Sequence, residues 1–231
     1  MITIRPAAER GHAHLGWLDS RHTFSFGDYY DPAHMGVSNL RVINDDWIQP
    51  HGGFGTHGHR DMEIVTVVLE GTLEHKDSIG TGGVIRVGDV QRMSAGRGVR
   101  HSEYNPSATE PVHLLQIWLA PNRTGVAPAY AQQQFPDALR RNRLALLVSP
   151  DGRDGSIAAH QDALLYATRL DDGARVEHRL AGRSGWVQVA RGRARVNGQD
   201  LAAGDGAHVA TDSVVAIEGI EDAELLLFDL P

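Results

Sequence analysis

Apolar residues along this chain gather in short runs rather than in stripes of helical period. Between residues 37 and 119 the runs VSNLRVI, MEIVTVVLEGTLEHKD, GGVIRVGDVQRM and VHLLQIWLA are rich in β-branched side chains and bounded by glycines. Runs of that length and composition predict strands, at the spacing of a barrel or sandwich. Strand-like runs resume later as LLYATRL, ARVEHRL, WVQVARGRARVNG, DGAHVA, SVVAIEG and AELLLFDL. The intervening stretch from about 120 to 160 carries four prolines and several turn dipeptides, which places a domain connection there. Within it, AQQQFPDALRRN can hold one short helix. The pattern predicts an all-β chain of two domains, 1–135 and 136–231.

The two halves can be laid on one another. IVTVVLEGTLEHKD (64–77) and WVQVARGRARVNGQ (186–199) share an apolar strand, a glycine and a second strand, so Gly71 corresponds to Gly192. VGDVQRM and AGDGAHV align through Gly88-Asp89 and Gly204-Asp205. Such self-similarity predicts two barrels of one topology. The histidines do not repeat: the positions matching His57 and His59 hold Arg179 and Ala181, and no counterpart of His101 follows Gly204. Chemistry is therefore expected in the first barrel alone.

Composition narrows what that chemistry can be. None of the 231 residues is cysteine, so disulfides, thiolate nucleophiles and thiolate metal sites are excluded, and a metal must be held by nitrogen and oxygen. A net charge of -7 gives no electrostatic footprint for a phosphate backbone, so direct nucleic-acid binding is not expected. The N-terminal stretch has no apolar core of signal-peptide type, and no run approaches the ~20 residues of a membrane span. A cytoplasmic protein without a membrane partner is the expectation, and two barrels in one chain make a monomer sufficient.

Two constellations carry the candidate chemistry. In THGHR, His57 and His59 stand two residues apart, and in RHSEYN, His101 and Glu103 do the same. Residues i and i+2 of a strand project to one side, so two such pairs on separate strands can converge inside a barrel as three imidazoles and a carboxylate. That set suits Fe(II) foremost, with Mn, Ni, Cu, Co or Zn also accommodated. Spacing alone leaves the carboxylate open, because Glu63, four after His59, is placed as well as Glu103.

GFGTHGHRDMEIVTVVLEG followed by GDVQRMSAGRGVRHSEYN resembles the two-part cupin signature, and MSAGRGVRHSE with VLEGTLEHKDS is similar to the pirin family in particular. The likeness runs from ERGHAHLGWLDSRHTFSF to ELLLFDLP, nearly the whole chain. It implies a bicupin of two jelly-roll-type barrels, with one divalent metal in the N-terminal barrel and none in a degenerate C-terminal barrel. Carried over residue by residue, it makes His57, His59, His101 and Glu103 the ligands. Glu63 then becomes a supporting acid that orients a ligand or pairs with Arg60 or Arg97.

The resemblance is nearest to bacterial pirin-like proteins described as quercetin 2,3-dioxygenases. It implies cleavage of a flavonol by dioxygen with loss of carbon monoxide. A carboxylate at the metal makes Glu103 the expected base, and Phe54 and Met93 are expected at the barrel mouth against the flat substrate. The alternative is a non-catalytic, redox-sensing regulatory module with a protein partner, since the family also includes transcriptional co-regulators. A dioxygenase or isomerase for non-flavonoid substrates is a third reading. The remaining histidines have blander readings. His12, His14, His22, His34 and His51 are expected to be solvated or bonded to backbone, and His75, His113, His178 and His208 to be structural. Arg191, Arg193 and Arg195 read as a solvated strand face, and RRNR at 140–143 as surface.

Overall fold

The computed structural model describes residues 1–210 and 214–231; Thr211, Asp212 and Ser213, the last of which opens the run SVVAIEG, lie outside the described residues. The first half contributes β1 (Ile2–Arg5), β2 (Gly11–His14), β3 (Leu18–His22), β4 (Leu40–Ile48), β5 (Gly53–His59), β6 (Glu63–Glu70), β7 (Thr72–Asp77), β8 (Gly82–Arg86), β9 (Asp89–Ser94), β10 (Val99–Tyr104), β11 (Val112–Leu119) and β12 (Ala129–Gln134). A single-turn helix, α1 (Asp137–Arg140), leads to β13 (Ala145–Ser149), β14 (Ile157–Ala158), β15 (Leu164–Leu170), β16 (Arg175–Arg179), β17 (Ser184–Val196), β18 (Gln199–Ala202), β19 (Gly206–Val209) and β20 (Val214–Leu230). The architecture is all-β with two barrel-type domains. Among the described residues no helix is long and apolar enough to cross a membrane.

The first barrel is built from a seven-stranded sheet, β12-β9-β6-β11-β4-β3-β2, and a four-stranded sheet, β5-β10-β7-β8. The second is a nine-stranded sheet ordered β1-β19-β17-β20-β15-β13-β14, with β16 added to β20 and β18 to β17. The first strand does not follow chain order. Ile2 pairs with Val209 and Arg5 with Gly206, so residues 2–5 lie in the second barrel's sheet. AQQQ does not start a helix; it runs in β12, with Gln132 opposite Gln91. Pro136, which has no N–H for a ladder, separates that strand from the four residues of α1.

Both faces of the central strands are buried, which explains their uninterrupted apolar runs. Along β6 and β11, Val65, Val67, Leu69, Leu115, Ile117 and Leu119 pack in one cluster with Leu165, Trp186, Leu226 and Phe228 of the second barrel. The alternate positions Val68, Val112 and Leu114 join Leu73 and Ile85 of the four-stranded sheet inside the first barrel. The seven-stranded sheet is thus the middle layer, and strand alternation decides whether a side chain meets the other domain or the first barrel's interior.

The turns repeat between halves at atomic detail. Gly71 and Gly192 have φ of 71° and 66°, in the left-handed region that glycine alone enters freely. A Cβ on Gly192 would lie 2.0 Å from the Glu221 carbonyl oxygen. At the aligned Gly-Asp turns, Asp89 Oδ2 accepts the Arg86 amide and Asp205 Oδ2 accepts that of Ala202, three residues back in both. The strand pair β6–β7 has as its counterpart one continuous strand, β17, whose pairing to β20 shifts register on either side of Gly192.

Candidate metal centre

β5 and β10 are antiparallel neighbours with His57 opposite His101 and His59 opposite Val99. Alternation along β5 turns both its histidines to one side, and they meet His101 there. Ring centroids lie 4.8 Å apart for His57–His59, 4.4 Å for His57–His101 and 4.9 Å for His59–His101. One nitrogen from each ring lies within 4.8 Å of the others. Register shifts between His101 and Glu103, and Glu103 joins a second group of ligand atoms with His101 and His75, again within 4.8 Å. Gly53 permits this strand pairing, since a Cβ there would stand 2.3 Å from the Glu103 carbonyl oxygen.

The rings present lone pairs to the centre. His57 Nδ1–H donates to the Gly55 carbonyl at 2.8 Å, which leaves Nε2 unprotonated. His75, buried beside His101, donates from Nε2 to Asp77 Oδ2 at 3.1 Å and accepts Gln91 Nε2–H at Nδ1, 3.0 Å. His101 Nδ1 lies 3.4 Å from that same His75 nitrogen, and among the described residues its Nε2 has no hydrogen-bond partner. Burial and the neighbouring imidazoles depress His59 to about 4 and His101 to about 2, so both are neutral at ordinary pH.

The buried groups fit a cation. Among the described residues, His101 Nε2 and Glu103 Oε1 are both buried without a hydrogen-bond partner, which is costly unless an ion takes them. Burial, reinforced by the Asp46 carboxylate, pushes Glu103 up to about 8 against the hydrogen bond from Gln116. That bond, Gln116 Nε2 to Glu103 Oε2 at 3.0 Å, is itself oriented by Thr66 Oγ1 on Gln116 Oε1 at 2.9 Å. A divalent ion would supply the missing compensation, and three imidazole nitrogens with one carboxylate oxygen suit a transition metal.

Glu63 stands elsewhere. It shares the alternating face of Val65 and Val67, toward the second barrel, and accepts Ser94 Oγ–H at 2.8 Å. Its cationic neighbour is Arg92, not Arg60 or Arg97. Other expectations also shift. Phe54 lines the cavity above the imidazoles, but Met93 is fully buried with Ile64, Ala95 and Val99 and does not reach it. His22 is buried and faces that cavity. Arg140 of RRNR is buried in an ion pair with Glu224, 2.5 Å, and Arg191 pairs with Glu70 at 2.6 Å across the domain boundary. His113, His178 and His208 bond to Asp45, Asp229 and Ser184. His12 and His14 flank Asp19 on the exposed rim, at 3.1 and 3.5 Å. The matching positions in the second barrel offer an exposed arginine, Arg179, and a turn alanine, Ala181.

The cavity has a volume of about 630 Å³ and lies between the two sheets of the first barrel. Leu15, Leu18, Phe26, Tyr29, Phe54 and Trp118 give it an apolar, aromatic lining, with His57, His59 and Glu103 at its base. Ser20, His22, Asn44, Asp46 and Gln116 interrupt that lining. The sequence reading missed these five. The available signal was polar side chains at the inward positions of apolar strands, as in RVINDDWI, where Asn44 and Asp46 share a face with Ile48.

Comparison with known proteins matches residues 3–119 to the Pirin family and residues 146–230 to the quercetinase C-terminal cupin domain. The chain is 52% identical over its whole length to a quercetin 2,3-dioxygenase of Escherichia coli, covering 99% of that protein. It superposes with a TM-score of 0.95 and 50% identity on the bacterial pirin YhhW from Escherichia coli in complex with nickel(II), covering 100% of this chain and 99% of that one. A quercetin 2,3-dioxygenase from Acinetobacter baumannii shares the fold at 20% identity, TM-score 0.77, with 100% of this chain and 79% of that one covered.

Proposed function

The chain belongs to the pirin family, and from that premise we propose that it is a metal-dependent dioxygenase that opens the flavonol ring of quercetin-like substrates and releases carbon monoxide. The observation that carries the reading is the pair of orphaned buried atoms, His101 Nε2 and Glu103 Oε1, beside two further imidazoles at the base of an apolar cavity. His57, His59, His101 and Glu103 would hold the ion, for which Fe(II) is our assignment. When bound, it supplies Lewis-acid stabilisation of a deprotonated substrate hydroxyl.

The chain's own residues do the rest. Glu103 is the base that takes the proton of the flavonol's 3-hydroxyl, and the Gln116 amide holds its carboxylate in place through Oε2. Phe54 and Trp118 face the flat ring system, and the enclosing sheets keep bulk water from the activated ring. Dioxygen adds across that ring, two ring bonds break, and the excised carbon leaves as carbon monoxide. Metal-loaded protein mixed with quercetin in air should bleach the flavonol absorbance and release carbon monoxide in equal amount. Absence of turnover with every divalent metal tried would overturn the proposal.

A further inference from the structure

Away from the imidazoles, paired strands β3 and β4 turn a polar strip into the cavity. Ser20 lies opposite Asp46 and His22 opposite Asn44 in the ladder. Ser20 Oγ donates to Asp46 Oδ1, and His22 Nδ1–H donates to Asn44 Oδ1 at 2.9 Å. Burial lowers the basicity of His22, so the ring is neutral and its Nε2 is an acceptor. Among the described residues no hydrogen bond reaches His22 Nε2 or the second Asp46 oxygen, and both side chains line the cavity. With Asp46 ionised, the strip therefore offers two acceptors that no donor among the described residues meets.

An aromatic slot adjoins the acceptors. Phe26 and Tyr29 lie against the His22 ring at centroid distances of 5.3 and 6.4 Å, and Arg5 Nη2 fixes the Tyr29 hydroxyl at 2.8 Å. Gly11 makes room for that tyrosine, since a Cβ there would stand 2.3 Å from its ring. Flat rings fit such a slot face or edge on.

We propose that Asp46 and His22 form a recognition subsite for two adjacent hydroxyls on an aromatic ring, set in the metal cavity and separate from the metal ligands. The inference rests on the flavonol reading and names the substrate feature the cavity selects: a pendant ring bearing a vicinal diol, whose two O–H groups donate to Asp46 and His22 while the 3-hydroxyl lies toward Glu103. Buried acceptors of this kind discriminate strongly against an analogue lacking the donors, because they would then remain desolvated and unpaired.

The test uses nickel-loaded protein under nitrogen, with tryptophan quenching to measure affinity for flavonols carrying two, one or no hydroxyls on the pendant ring. The full protein should prefer the dihydroxyl form over the hydroxyl-free form by about tenfold, from two hydrogen bonds at the usual net gain. Asp46→Asn and His22→Gln, checked for unchanged nickel content and a retained cooperative unfolding transition, should each compress that ratio to about threefold or less. A ratio near one in the parent protein, or a ratio unaltered in both variants, would overturn the subsite. Binding without oxygen separates the two claims. Selective binding with no turnover in air would sink the dioxygenase reading and leave the subsite standing; turnover with no selectivity would do the reverse.

Discussion

Replacing Asp46 by asparagine tests the cost of a carboxylate inside this barrel. Asp46 is buried at 3% exposure, and loss of water, with the neighbouring Asp45 charge, pushes its carboxyl from 3.8 to about 7 despite the hydrogen bond from Ser20. Because the folded-state value is the higher one, the folded chain binds the proton more tightly, so the benefit of a neutral Asp46 is full below about pH 4 and is lost as pH rises to about 7. A rise of that size corresponds to about 4 kcal/mol, of which roughly 2 to 3 falls between pH 5 and pH 8. Asparagine keeps the acceptor for Ser20 and cannot ionise. Urea unfolding of chelator-treated protein at the two pH values should show Asp46→Asn gaining about 2 to 3 kcal/mol on the parent between pH 5 and 8. A difference that stays constant within about 0.5 kcal/mol would refute the claim that this carboxyl is desolvated.

Three further outcomes follow from the same coordinates. Glu103→Gln should lower metal affinity by more than tenfold, while Glu63→Gln, bonded to Ser94 on the other face of the sheet, should leave the metal content of purified protein unchanged. His75→Leu removes the nitrogen beside His101 Nδ1 and should weaken nickel binding roughly 10- to 100-fold in a competition titration against a chelator. Phe228, fully buried between the barrels, should cost about 3 to 5 kcal/mol when cut to alanine, read by denaturant unfolding, with metal affinity preserved.

The fold was legible because strand alternation and glycine-bounded runs are local signals, and Gly71 and Gly192 occupy equivalent left-handed turns in the structure. The pairing of His57 with His101 was legible for the same reason, since i and i+2 residues share a face. What local pattern could not supply was the partner of each face. Glu63 and Glu103 are equally plausible acids in a string of letters, and the two-sided burial of β6 decides that Glu63 looks toward the second barrel. His22 lay in a polar stretch expected to be solvated, and only the ladder between β3 and β4 shows that it lines an interior together with Ser20, Asn44 and Asp46. Arg140 and Arg191 likewise gained partners some 80 to 120 residues distant.

The pairing of β1 with β19 carries a consequence for how the chain is made. Ile2 leaves the ribosome some 200 residues ahead of its neighbour Val209. At about 5 to 20 residues per second, the first strand waits roughly 10 to 40 s for its place in the sheet. Throughout that interval the sheet that β1 joins cannot close, whereas the metal-site strands β5 and β10, which end at Tyr104, are made about a hundred residues before Val209. The nascent chain can thus assemble its imidazole cluster while the opening residues of the same polypeptide are still without a partner.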